Sequence, residues 1–145
     1  WITPRSDALF ESLTDQYILF GEWCYAQHSV FYDRLPDWFL AFDIYDREHH
    51  RFLSSARRDI LLEKLHVFRV PVLARGLISF SEIKGLLSQS KLCNQPAEGV
   101  YLRADSEDWL EKRAKLVRPA FIQSMENHWS RSTIKSNKIN MQVPE

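Results

Sequence analysis

Glu22 and Glu98 each stand beside a glycine at the edge of an apolar run, in "FGEW" (20–23) and "AEGVYLR" (97–103). The chain has four glycines in all, so two of them go to seating lone carboxylates. Between these stretches "AFDIYD" (41–46) sets the ring of Phe42 next to Asp43, and after them "KLVRP" (115–119) carries Lys115 and Arg118. Acids, a ring and amines are side chains that can handle a nucleotide: a ring stacks on a base, and a cation offsets phosphate charge. Each also has a plain structural account: a solvated acid in a turn, a core phenylalanine, a surface lysine.

Other chemistries have less to stand on. There is no GxGxxG and no GxxxxGK[ST], so a Rossmann or P-loop site is excluded and any phosphate must be held by side chains. No GxSxG elbow marks a serine nucleophile. His49 and His50 are adjacent, after Glu48, whereas histidines that share an ion on a helix stand three or four residues apart. Neighbouring residues point in different directions. For His28, His66 and His128 the plain structural reading is likewise preferred. Cys24 and Cys93 form no CxxC, which reads as two free buried thiols in a reducing compartment.

At 145 residues, 13% of them aromatic, the chain has material for one core that buries roughly 70% of its unfolded surface. Net charge is zero, but residues 1–50 hold three arginines against nine acids, and residues 51–145 sixteen basic residues against ten acids. This asymmetry suits a phosphate-facing side and a solvated surface equally. No apolar run approaches the ~20 residues of a bilayer span, and no signal peptide is visible, so a soluble cytoplasmic protein is expected, with no membrane partner. A start at Trp1 suggests a piece of a longer protein.

The elements that must position these residues follow from pattern. Residues 6–15 read as a helix with Ser6 as N-cap and Leu9, Phe10 and Leu13 as its apolar stripe. Residues 17–26 read as a strand, 34–38 as a turn at Pro36, and 38–46 as a strand buried on both faces. A helix is expected over 51–66 with Phe52, Ala56, Ile60 and Leu61 inward, then a short edge strand over 67–76 that contains Pro71. Ser79 and Glu82 form a capping box for a helix at 81–90. Strands follow at 99–104 and 114–121, then a helix at 120–130 and a basic polar tail at 131–145 that has no periodicity to hold it still. Without regular βαβ alternation, the class is α+β with antiparallel sheet.

As an ordered set, "FGEW", "AFDIYD", "AEGVYLR" and "KLVRP" resemble the nucleotidyltransferase domain of ATP-dependent RNA ligases. These enzymes belong to the covalent nucleotidyltransferase group that also holds DNA ligases and mRNA capping enzymes. The four stretches match motifs III, IIIa, IV and V, spaced 20 residues from Glu22 to Phe42, 56 to Glu98 and 17 to Lys115. Order and spread look like the RNA ligase 2-like branch, and the wording around the motifs looks closer to a bacterial-type RNA ligase than to a capping enzyme, over roughly residues 5–130. The resemblance implies an ATP-grasp-like antiparallel-sheet domain, here partial, within residues 1–130.

It also implies an activity. A lysine takes AMP from ATP, AMP passes to an RNA 5′-phosphate, and a 3′-hydroxyl displaces it, sealing RNA ends. By resemblance, Glu22 contacts the ribose and Phe42 stacks on adenine. Glu98 helps hold a divalent metal, expected to be Mg2+, and Lys115 neutralises the α-phosphate. Asp43 orients its neighbours or adds a metal ligand, and Arg118 is a further basic contact to the nucleotide. Motif V departs from the family pattern, with Val117 where many relatives carry a second lysine. A larger departure lies upstream: the Lys-x-Asp-Gly nucleophile should precede "FGEW", yet the first lysine is Lys64. The nucleophile is therefore expected from an amino-terminal segment or a second chain. Two alternatives stand beside this reading: a non-catalytic nucleotide- or RNA-binding module, and a DNA ligase or GTP-using capping enzyme.

Overall fold

The structure, a computed structural model, describes residues 1–28, 30–119 and 134–140. The chain forms two units: Trp1–Trp23, Asp37–Val70 and Arg103–Arg113 make the first, and Cys24–Pro36, Pro71–Leu102 and Ala114–Glu145 the second. The mix of short helices and antiparallel strands is α+β, as expected.

In the first unit, helix α1 (Ser6–Leu13) leads into strand β1 (Tyr17–Trp23), which pairs antiparallel with β2 (Phe39–Asp46). Strand β3 (Arg51–Phe52) joins the far end of β2, and helix α2 (Ser55–Lys64) follows. Ala41 and Ile44 of β2 pack with Leu53, Leu62, Leu65 and Val67 in a core flanked by Leu9, Leu13, Tyr17 and Trp109. Burying an aliphatic side chain of this kind stabilises by about 1.5–3 kcal/mol.

The β1–β2 ladder is not regular. Phe20 faces Asp43 but Gly21 faces Ala41, so Phe42 is an extra residue bulged out of the pairing. A bulge locally breaks the alternation of faces. Accordingly Asp43 and Ile44 are both buried while Phe42 is half-buried.

Several expectations need correction. Ser6 does not cap α1: a 3-10 turn, Thr3–Arg5, runs straight into the helix, and Ser6 Oγ donates to the Thr3 carbonyl at 2.9 Å. Phe10 is exposed, so Leu9 and Leu13 carry the inner face alone. The helix expected over 51–66 starts only at Ser55, because Arg51 and Phe52 are taken up in pairing with Asp46 and Tyr45. Its N-cap is Ser54, whose side chain accepts from Arg57 N at 3.4 Å. Its buried residues are Arg58 and Leu62, with Leu61 packed against the core as expected, while Ile60 is 70% exposed. The strand expected over 67–76 is reduced to a bridge on Ala41, which donates to Phe68 O at 2.8 Å and accepts from Val70 N at 2.9 Å. Pro71 has no N–H with which to extend it.

In the second unit, helix α3 (Phe80–Gly85) opens on the expected capping box of Ser79 and Glu82, and a 3-10 turn at Leu86–Ser88 extends it. Residues 134–140 of the expected tail run beside 24–36, with bridges Ala26–Ser136 and Leu35–Ile139. Buried Asn137 anchors them: Oδ1 accepts from Tyr32 N at 2.9 Å, and Nδ2 donates to the carbonyls of Cys24 at 2.9 Å and Ala26 at 3.3 Å. Cys24 and Cys93 are buried thiols that form no disulfide, as expected. The helix expected at 120–130 and the rest of the tail lie outside the described residues.

Strands β4 (Gly99–Asp105) and β5 (Leu110–Val117) form a two-stranded sheet. Strand β5 begins four residues before the expected 114, since the acidic turn is shorter than its composition suggests. No helix among the described residues is long and apolar enough to cross a membrane.

Candidate active site

The glycine beside each glutamate has a packing reason. A Cβ on Gly21 would overlap the Phe39 ring and lie 2.8 Å from the Leu40 carbonyl oxygen. On Gly99 it would lie 2.8 Å from the Leu116 carbonyl oxygen. Only a residue without a side chain lets the neighbouring strand come this close. Both carboxylates therefore sit on backbone whose place is fixed by a tight inter-strand approach.

In the first unit, Glu22 is exposed on β1 opposite Leu40, and Phe42 is the bulged residue of β2 two positions further along the pair. Phe42's carbonyl accepts from Arg58 Nη1 at 2.8 Å and from Arg103 Nη1 at 3.3 Å. Asp43 is fully buried and paired with Arg103, and its second oxygen lies 3.5 Å from Arg113 Nη1. The Arg103 fork also donates to the Leu53 carbonyl at 2.6 Å and reaches Asp105. Burial opposes the charge on Asp105, but hydrogen bonds from Ser55 and the Arg103 guanidinium outweigh it and hold the carboxyl below its ordinary range. Arg113 in turn lies over the Phe52 ring at 4.4 Å.

The first unit also contains a cluster of possible metal ligands, Asp46, Glu48 and His49, with ligand atoms within 4.8 Å of one another. Asp46 is already committed to the turn: Oδ1 accepts from the backbone N of Glu48 at 2.9 Å and of His49 at 3.0 Å. Its Oδ2 meets Gln16 Nε2 at 3.2 Å and His49 Nδ1 at 3.0 Å. His49 is thereby tied to the turn through Asp46.

In the second unit, Glu98 is half-buried just ahead of β4, and its carbonyl accepts from Arg118 N at 2.9 Å. The Tyr32 hydroxyl donates to the Glu98 carboxylate. Burial, then the Glu98 charge and this hydrogen bond, push the phenol well above its ordinary value, so Tyr32 remains a neutral donor. Lys115 is exposed on β5, and half-buried Arg118 follows the strand's end. Glu22, Phe42 and Asp43 thus belong to the first unit, and Glu98, Lys115 and Arg118 to the second.

Arg58, Arg103, Arg113 and Tyr32 carry no signal in the sequence that singles them out. Arg103 lies inside "AEGVYLR", but its acid partner is 60 residues away, beyond any local pattern. The one cue is a buried aspartate in an apolar strand, since a charge there needs a cation.

The family model for RNA ligase matches residues 1–117, a span that holds Glu22, Phe42, Asp43, Glu98 and Lys115. The chain belongs to the RNA ligase family. No curated protein and no solved structure is significantly similar to it.

Proposed function

We propose that these residues handle the adenylate of an ATP-dependent enzyme that seals RNA ends. The observation that carries the reading is the family match, which spans Glu22, Phe42, Glu98 and Lys115 in motif order. Two tightly packed glycines that fix the backbone beside the two glutamates support it. Phe42 stacks on adenine, an interaction of about 1–3 kcal/mol, and Glu22 contacts the ribose. Lys115, exposed and cationic, faces the α-phosphate, and Arg118 adds positive charge.

Glu98 offers a hard carboxylate oxygen suited to Mg2+, which when bound would offset phosphate charge. Its Tyr32 partner orients the group without competing for a positive charge. Asp43 fits a metal poorly, because Arg103 and Arg113 occupy its oxygens. Its role is to orient Phe42's segment.

Residues 1–63 contain no lysine, so the adenylated lysine is supplied from elsewhere. Incubation with α-labelled ATP and Mg2+ tests this. Residues 1–145 alone should take up no label, whereas the same residues joined to a segment bearing Lys-x-Asp-Gly should. Label on residues 1–145 alone, or none on the joined protein, would overturn the proposal. The missing lysine also favours a second reading, a binding module without catalysis. ATP binding without adduct in the joined protein would single that out.

A further inference from the structure

The geometry points to Arg103, assisted by Arg58, as the positioning residue that sets Phe42 for base recognition. This rests on the adenine-stacking role proposed for Phe42. A bulged residue loses its partner in the ladder, and a backbone carbonyl left without a donor is costly. At Phe42 that carbonyl accepts from two guanidinium groups on separate elements, Arg58 of α2 at 2.8 Å and Arg103 of β4 at 3.3 Å. Charged donors make the stronger hydrogen bonds. Arg103 also pairs with the next residue, buried Asp43, and donates to the Leu53 carbonyl at 2.6 Å. One planar fork therefore grips both residues at the register shift and ties them to the start of α2. Arg58 is itself only 4% exposed, so it has little freedom to release the carbonyl. If the fork is lost, the bulge can relax toward regular pairing and turn the ring.

A lysine at 103 can pair with Asp43 but cannot reach two carbonyls at once. The test compares binding of ATP and of ribose 5′-triphosphate, which lacks the base, to wild type and Arg103→Lys. Wild type should prefer ATP by at least roughly tenfold, and Arg103→Lys should abolish most of that preference with triphosphate affinity unchanged. A variant that only lost stability would bind both ligands equally less well, or show an early thermal transition with the preference intact. Unchanged preference in folded Arg103→Lys overturns the inference and leaves the adenine reading standing. Equal binding of both ligands by wild type overturns the adenine reading itself. If Arg103→Lys does not fold, Arg58→Lys withdraws the shorter contact to the same carbonyl. Loss of the ATP preference in that variant supports the inference, and an intact preference overturns it.

Discussion

Arg103 reaches from β4 to the buried carboxylate of Asp43, so the cation that ends "AEGVYLR" neutralises the acid inside "AFDIYD". A buried aspartate without a cation would carry its desolvation cost uncompensated. Replacing Asp43 by alanine should lower stability by about 3–5 kcal/mol, mostly from the guanidinium left behind. The double change Asp43→Leu with Arg103→Met should recover a large part of that loss. Denaturant unfolding of the three variants checks it, and additive losses would show that the pair is not coupled.

The two close-approach glycines should not tolerate a methyl group. Gly21→Ala meets the Phe39 ring, and Gly99→Ala meets backbone at Leu116. Each should cost about 1–3 kcal/mol, because in both cases the new methyl also lies 2.8 Å from a backbone carbonyl oxygen that cannot swing aside. Thermal unfolding reads this directly, and a neutral Gly99→Ala would refute the packing account.

Much of the fold is legible in the sequence, and the part that is not has a common cause. Strands β1 and β2 and the Ser79–Glu82 box are local patterns, visible in the spacing of a few residues. The bulge at Phe42 exists only in the register between two strands, so no reading of either strand alone could find it. Residues 51–52 look helical by apolar spacing, but pairing with β2 overrides the local preference, and of the expected inward residues of α2 only Leu61 packs against the core. The family is readable from the order of the four stretches that hold Glu22, Phe42 and Asp43, Glu98, and Lys115. The guanidinium groups that hold them are not, because their partners are remote in sequence.

Acid should destabilise the first unit through Asp46. Burial opposes its charge, but hydrogen bonds from His49 and Gln16 win and hold the carboxyl below its ordinary value of 3.8. With the folded pKa depressed, this contribution is complete above pH 3.8 and is lost as the pH falls below it through the folded value. Asp46→Asn should make the acid limb of a stability–pH profile shallower. An identical limb would mean that other carboxylates govern it.

Asn137 should be worth more than its polar surroundings suggest. Alanine there strands the Tyr32 amide and the carbonyls of Cys24 and Ala26, at about 1–3 kcal/mol for a buried group left unpaired. Faster hydrogen exchange at the amides of Gln27 and Leu35, which bond to Lys135 and Lys138, would mark release of the segment. Unchanged exchange there would show that the segment is held by other contacts.

The central claim of the proposed function is that Glu22, Phe42, Glu98 and Lys115 are each needed to bind ATP. Titrating Mg2+-ATP and Mg2+-GTP into the wild type and into the four single alanine variants tests it most directly. The expected result is saturable binding that favours ATP over GTP, with Phe42→Ala and Lys115→Ala each weakening ATP binding by roughly tenfold or more. Binding that all four substitutions leave at wild-type strength would contradict it.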